Sequence, residues 1–229
     1  MTNDYVYLLE LFRTTGEFLG RFSIVPDWEP AVESVRWQGL RVHDTPIGKI
    51  GMLICGENTN PLARYSLMAQ GEQVHVSSYP PVWPTRPSNQ PGRYDLAAAI
   101  RIRAGAHSFE GKVFNIVSSA LLDKSALDSL QALSKEALEI LEQSPQAVSM
   151  FIGPSGEIIS DTLCESEGLL YQDIDIAQCV EPKQFHDVVG YYNRFDVFDL
   201  KVTRKRLSPI QFLDETAAPV ESLSEDRAD

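Results

Sequence analysis

The chain has little cysteine, little positive charge and no long apolar run. Its 229 residues hold three cysteines, Cys55, Cys164 and Cys179. An odd number without C-x-x-C spacing argues against a disulfide framework or a structural zinc site, and it fits reduced thiols in a cytosolic setting. Twenty Lys and Arg stand against 32 Asp and Glu, a formal charge of −12. That balance argues against nucleic acid or an anionic membrane as partner. No run approaches the ~18 apolar residues of a membrane-spanning helix, so no membrane association is expected. The first residues, Met1 to Tyr5, lack the basic-then-apolar order of a secretory signal, and a soluble, cytoplasmic protein is expected. No Gly-rich phosphate cradle is present, and no cofactor is implied. What the chain does have is 43% hydrophobic residues, enough for a real core.

Periodicity sets out the elements. Residues 5–12 and 18–25 read as strands around a Thr14-Thr15-Gly16-Glu17 turn, which predicts a hairpin. Residues 26–37 read as irregular, with Pro26 and Pro30 as breakers. Strands are predicted at 40–44, 49–54, 74–78 and 113–120, and helices at 61–70 and 94–110. In the second helix Leu96, Ile100, Ala104 and His107 share one side. Leu127, Leu130, Ala137, Leu138 and Leu141 mark an amphipathic helix before Pro145. A second hairpin is expected over 147–161 around Gly153-Pro154-Ser155-Gly156, another strand over 168–174, and short helix and strand from 181 on. Residues 79–92 form a proline-dense loop without regular structure, in which Trp83 is the candidate pocket wall. Alternating strands and helices closed by hairpins predict a mixed α/β (α+β) layered domain. The end of the chain, from 208 to 229, is acidic and small in composition, and reads as a disordered tail.

The chemistry points to residues 48–61. Gly51, Met52, Leu53 and Ile54 form a buried strand that stops at Cys55, and Pro61 opens a helix. By residue type alone a free cysteine is a small core residue. On a sharp strand-to-helix turn, however, its sulfur is pushed out of the sheet edge toward backbone N–H groups able to hold a thiolate or an oxyanion. Glu57 can orient a base or a substrate donor, or act as a carboxylate in a helix first turn. His43, His75, His107 and His186 show no metal-ligand spacing, and a structural or supporting role is expected for them. No metal is implied.

The segment Gly51 to Arg64, with Cys55-Gly56-Glu57-Asn58 at its centre, resembles the active-site signature of the nitrilase branch of the carbon–nitrogen hydrolase superfamily. The resemblance continues through residues 71–76, 79–87, 101–110, 151–156, 170–174 and 184–198, and so covers about residues 5–207. Gly56 stands where many members have tryptophan. The resemblance implies a four-layer α–β–β–α sandwich, present here in part, and assembly into homo-oligomers, either dimers or spirals. It also implies hydrolysis of a small-molecule nitrile to a carboxylic acid and ammonia, with Cys55 as nucleophile.

Carried over residue by residue, the resemblance leaves gaps. The family's general-base glutamate precedes the region this chain resembles, and a domain over 1–207 lacking its N-terminal part is expected. Counting back from Pro26 places Ser23 at the catalytic lysine position, with Arg21 the nearby cation, and the second glutamate matches Glu33. Asn58, Trp83, His75 and Glu57 are expected to contact substrate or support the site. Loss of one acid–base group typically costs about 10²–10⁴-fold in rate. Two alternatives therefore stand beside the nitrilase: an inactive homologue serving as an oligomer subunit, and an amide-forming enzyme like cyanide hydratase. A domain short of its early strands is also expected to expose sheet edges and to associate with another copy.

Overall fold

A computed structural model of the chain describes residues 7–12, 18–24, 40–81, 91, 94–131, 135–142 and 145–203. The first hairpin forms as the spacing predicts. β1 (Tyr7–Phe12) pairs antiparallel with β2 (Phe18–Ile24), with an irregularity between Leu11 and Phe12. Residues 26–37 and the tail from 208 on lie outside the described residues.

The main sheet has five strands in sequence order. β3 (His43–Thr45) runs antiparallel to β4 (Gly48–Ile54), which pairs parallel with β5 (Val74–Tyr79). β5 pairs parallel with β6 (Phe114–Ser119), and β6 antiparallel with β7 (Met150–Ile152). Parallel neighbours need a crossover, and helices α1 (Pro61–Met68) and α2 (Leu96–Gly111) supply the two that join β4 to β5 and β5 to β6. Both step in the same direction along the sheet, so right-handed crossovers place both on one face.

Local chemistry explains where the helices begin. Asn60 accepts from Leu62 N–H at 2.9 Å and Pro61 takes the first helical position, where its missing N–H costs nothing. Asp95 caps α2 by accepting from Ala98 N–H at 2.9 Å. Lys112 ends α2 in the left-handed region with φ 54°.

Side chains alternate between the two faces of the sheet, as the pleat requires. Ile50, Val74, Val76 and Ile116 form one cluster on the face away from the helices, covered in part by Ile174 and Ile176. On the helix side Leu53 packs with Leu40, Ala63 and Leu67 under α1. Tyr79, Val117, Met150 and Ile152 pack with Ala97, Ile100 and Ala104 of α2. The helix side also takes His75 and Asn115, both fully buried, a polar row inside an otherwise apolar layer. The described residues thus supply the five-stranded sheet with its helical layer and the separate two-stranded β1–β2 sheet.

Three expectations are corrected. Residues 168–174 form no strand: Leu169 and Tyr171 are exposed, and Ile174 touches the sheet through its side chain alone. The predicted helix around Leu127 to Leu141 is described as two stretches, α3 (Lys124–Gln131) and α4 (Lys135–Glu142). After residue 181 the described chain holds a 3₁₀ turn, Glu181–Gln184, and no strand. The second hairpin is present in reduced form. Gly153 N–H donates to Glu157 O and Gly156 N–H to Gly153 O, closing the turn, with bridges at Ile152↔Ile158 and Ser149↔Leu163. No described helix is long and apolar enough to cross a membrane.

Candidate active site

Cys55 sits where β4 gives way to a 3₁₀ turn, Cys55–Thr59, and its φ is 47°. Among the described residues only Cys55 and Lys112 hold a positive φ without being glycine. Left-handed backbone is unfavourable for an L-residue and persists where the surroundings enforce it. It turns the chain sharply at the carboxyl end of a parallel strand, the edge at which open α/β sheets bind their ligands. The sulfur is half-buried, packed against the cluster that contains Tyr79, Ala97 and Ile100.

Two side chains of the same turn hold its backbone. Glu57 accepts from Ile54 N–H through Oε2 at 2.9 Å, so its carboxylate closes the turn from the strand side. Asn58 is buried and donates from Nδ2 to Leu53 O at 3.0 Å and to Cys55 O at 3.4 Å. Its Oδ1 accepts from Ser77 Oγ at 3.1 Å and lies 3.0 Å from His75 Nε2.

Behind Asn58 runs a buried polar cluster. His75 Nδ1 is 2.7 Å from Glu72 Oε1, and His107 Nε2 is 2.7 Å from Glu72 Oε2. The two imidazoles stack with centroids 3.9 Å apart. Gly51 lies opposite His75 in the strand register and leaves the space that Glu72's carboxylate fills; a Cβ there would overlap Oε1. Burial by itself would push Glu72 up, but the charge of His75 and hydrogen bonds from both rings outweigh it and hold the carboxyl at about 2. Burial and the His75 charge push His107 down to about 4, against the pull of Glu72. The trio offers one ligand atom each, all within 4.8 Å of one another, a set of the kind that binds a metal. Spacing along the chain does not suggest this grouping; the fold makes it. Both Glu72 oxygens are already engaged by imidazole nitrogens, so protons satisfy the geometry without a cation.

Toward the mouth, Tyr79 ends β5 and is buried, with its phenol pushed up by burial against the opposing charge of Arg103. Arg103 reaches from α2 to Thr59 Oγ1 at 3.0 Å and Tyr94 OH at 3.4 Å, with its guanidinium 5.5 Å from the Tyr79 ring centre. It therefore ties α2 to the Cys55 turn through neutral partners; the ion pair of this region is Arg64–Glu110 at 3.2 Å. Lys112 does not approach Cys55: it precedes β6, at the opposite end of the parallel strands. Its ammonium stacks on Phe109 at 3.7 Å.

The structure thus brings together Cys55, Glu57, Asn58 and His75. Glu33 and Trp83 lie outside the described residues, and of Ser23 only the strand backbone is described. Reasoning from the sequence missed Glu72, Tyr79 and Arg103 as neighbours of the turn, and the pairing of His107 with Glu72. A signal was available: His107 lies on the apolar side of a helix, and a buried imidazole there needs a buried partner.

Comparison with known proteins identifies the family. A sequence model of the family described as Carbon-nitrogen hydrolase matches residues 16–184. The chain is 32% identical over 177 residues to a nitrilase of Penicillium rubens, covering 76% of this chain and 53% of that protein. It is 30% identical over 172 residues to an aliphatic nitrilase of Rhodococcus rhodochrous, covering 75% and 44%. The chain therefore spans about half the length of these relatives. Among solved structures, a carbon–nitrogen hydrolase of Helicobacter pylori G27 aligns with TM-score 0.53 at 17% identity, covering 82% of this chain and 62% of that one, a likeness of fold. With the family's sequence pattern over most of its length and the family's fold in its sheet and helices, this chain belongs to the carbon–nitrogen hydrolase family.

Proposed function

We propose that this chain carries the nucleophile half of a nitrilase site. It converts a small nitrile to a carboxylic acid and ammonia through Cys55. The observation that carries the reading is the left-handed Cys55 turn at the carboxyl ends of parallel strands, within a sequence 30–32% identical to proteins named nitrilases.

A nitrile carbon is a modest electrophile, so the attacking sulfur must be anionic and the nitrogen must receive a proton as its negative charge develops. The Cys55 thiolate forms a C–S bond and the protonated nitrogen makes a thioimidate. Water adds to that carbon, ammonia leaves with the nitrogen, and a thioester remains. A second water breaks the C–S bond, releasing the acid and restoring the thiol. If the first tetrahedral adduct expels sulfur instead of ammonia, the product is an amide, as in a cyanide hydratase.

Glu33, matched to the family's second glutamate, supports Cys55 together with Glu57 in this reading, and Trp83 is its pocket wall. The protein works as a homo-oligomer in the cytoplasm. One observation favours a second reading, a non-catalytic subunit: Ser23 stands at the position that the family resemblance gives to lysine.

The test is ammonia and amide release from aliphatic, aromatic and arylacetic nitriles and from cyanide. Turnover that disappears in Cys55→Ala supports the enzyme. Folded protein that yields neither product from any of these substrates retires it in favour of the non-catalytic subunit.

A further inference from the structure

We propose that His75 and Asn58, backed by Glu72, form a relay that holds the Cys55 turn in its left-handed conformation, with His75 Nε2 donating its hydrogen to Asn58 Oδ1. The positioning of a nucleophile rests on the reading of Cys55 above; the hydrogen on His75 Nε2 does not, and the two are tested apart.

The chain of inference starts at the backbone. Leu53 O and Cys55 O can only accept, and both lie within hydrogen-bond distance of one end of the Asn58 amide. That end must be the NH₂ group, since the opposite flip would set three carbonyl oxygens against one another. Oδ1 is thereby fixed toward Ser77 and His75. It too can only accept, so His75 Nε2 must bear hydrogen. On the other side of the ring, Nδ1 faces Glu72 Oε1 at 2.7 Å.

His107 completes the assignment. Its Nε2 donates to the second Glu72 oxygen, while Nδ1 finds no partner among the described residues, which is the pattern of a neutral ring. The two rings stack at 3.9 Å, so His107 closes the cluster on the side of His75 away from the turn. The groups facing His75 are Glu72 from the approach to β5, Asn58 from the turn, Ser77 of its own strand and His107 of α2, while the charge of Arg64 on α1 acts on His107. Through these contacts the proton on Nε2 decides which way Asn58 points, and Asn58 pins the carbonyls on both sides of Ile54.

The protonation is read from the full chain labelled with ¹⁵N-histidine at neutral pH. The His75 ring, assigned by its loss in His75→Gln, should show Nε2 in the protonated range. A His75 signal with Nε2 unprotonated overturns the assignment, as does a stoichiometric metal in the purified protein. The positioning is read by iodoacetamide labelling and peptide mass spectrometry. Asn58→Ala should speed alkylation of Cys55 by about tenfold, the scale of one or two lost backbone hydrogen bonds. Half-buried Cys164 should keep its rate, and buried Cys179 should stay protected, which shows the fold intact. Wild-type reactivity of Cys55 with Cys179 protected overturns the relay. If Asn58→Ala exposes Cys179, Ser77→Ala takes its place, removing a second hydrogen bond to Oδ1 without touching the turn, and is judged by the same rates. A chain that releases neither ammonia nor amide yet shows both signatures confirms the relay and retires the nitrile reading alone.

Discussion

Replacing Gly51 with alanine tests the buried cluster at its tightest point. A Cβ at residue 51 would overlap Glu72 Oε1, and that carboxylate has nowhere to go. Each of its oxygens is bonded at 2.7 Å to a buried imidazole, and Glu72 itself is 1% exposed. If the carboxylate is displaced, a buried ion pair is broken, at about 3–5 kcal/mol. If the backbone yields instead, overpacking costs about 1–3 kcal/mol. We expect a loss of about 3 kcal/mol in Gly51→Ala, a large share of the ~5–15 kcal/mol that holds a domain folded. The control lies in the same stretch: a Cβ on Gly56 would meet nothing within 4 Å, so Gly56→Ala should stay within about 0.5 kcal/mol of wild type. Urea unfolding followed by far-ultraviolet circular dichroism compares the two. Adding Glu72→Ala to Gly51→Ala should cost far less than the two single losses together, because both act on one contact. Equal midpoints for the two glycine variants would refute the argument.

The remaining predictions follow from charge and backbone. Glu72 is held at about 2 against an ordinary 4.5, and His107 at about 4 against 6.5. Between each pair of values the unfolded chain binds the extra proton, so their contribution is complete above about 6.5 and is lost as pH falls, first through His107 and then through Glu72. Urea midpoints should therefore decline from about pH 6.5 toward pH 4, and His107→Gln, which keeps a donor but does not titrate, should flatten that range; an unchanged wild-type midpoint there would sink the idea. At residue 55, left-handed backbone costs a side chain roughly 1–2 kcal/mol. Cys55→Gly should accordingly be at least as stable as Cys55→Ala, against the usual order in which glycine loses about 0.5–1 kcal/mol; an alanine variant ahead by that margin would contradict a positive φ.

The sheet and its two crossover helices were legible because each has a periodicity of its own. The apolar run of β4, the breaks at Gly48 and Pro61, and the spacing of Ile100, Ala104 and His107 place those elements within a residue or two. The Cys55 turn was legible for the same reason. Residues 168–174 misled, since an apolar stretch reads as a strand whether or not a ladder partner is free to take it. Ile174 and Ile176 instead cap the sheet with side chains alone. The Glu72–His75–His107 cluster was not legible, because its members come from a turn, a strand and a helix that meet only after the sheet has assembled. Glu57 and Asn58 were named as site residues from their nearness to Cys55. The bonds they make to the backbone of residues 53–55 depend on a turn geometry that spacing does not encode.

One contact sets a dimension for the whole helix side. A Cβ on Gly105 of α2 would stand 3.3 Å from Gly156 O, and one on Gly156 would stand 3.0 Å from Gly105 O. Main chain therefore rests on main chain there, with Phe109 Cβ alongside. Such a seat has no slack: α2 cannot slide or roll on the 153–156 turn without losing the fit. Gly105 lies midway between Arg103, which reaches Thr59, and His107, which reaches Glu72. The bare seam thus works as a mechanical datum, locating from the far side of the helix two arms that reach the Cys55 turn and the cluster behind it. A side chain at either glycine would press on main chain, and whatever give that took would move both arms together, toward a cysteine that neither glycine is bonded to.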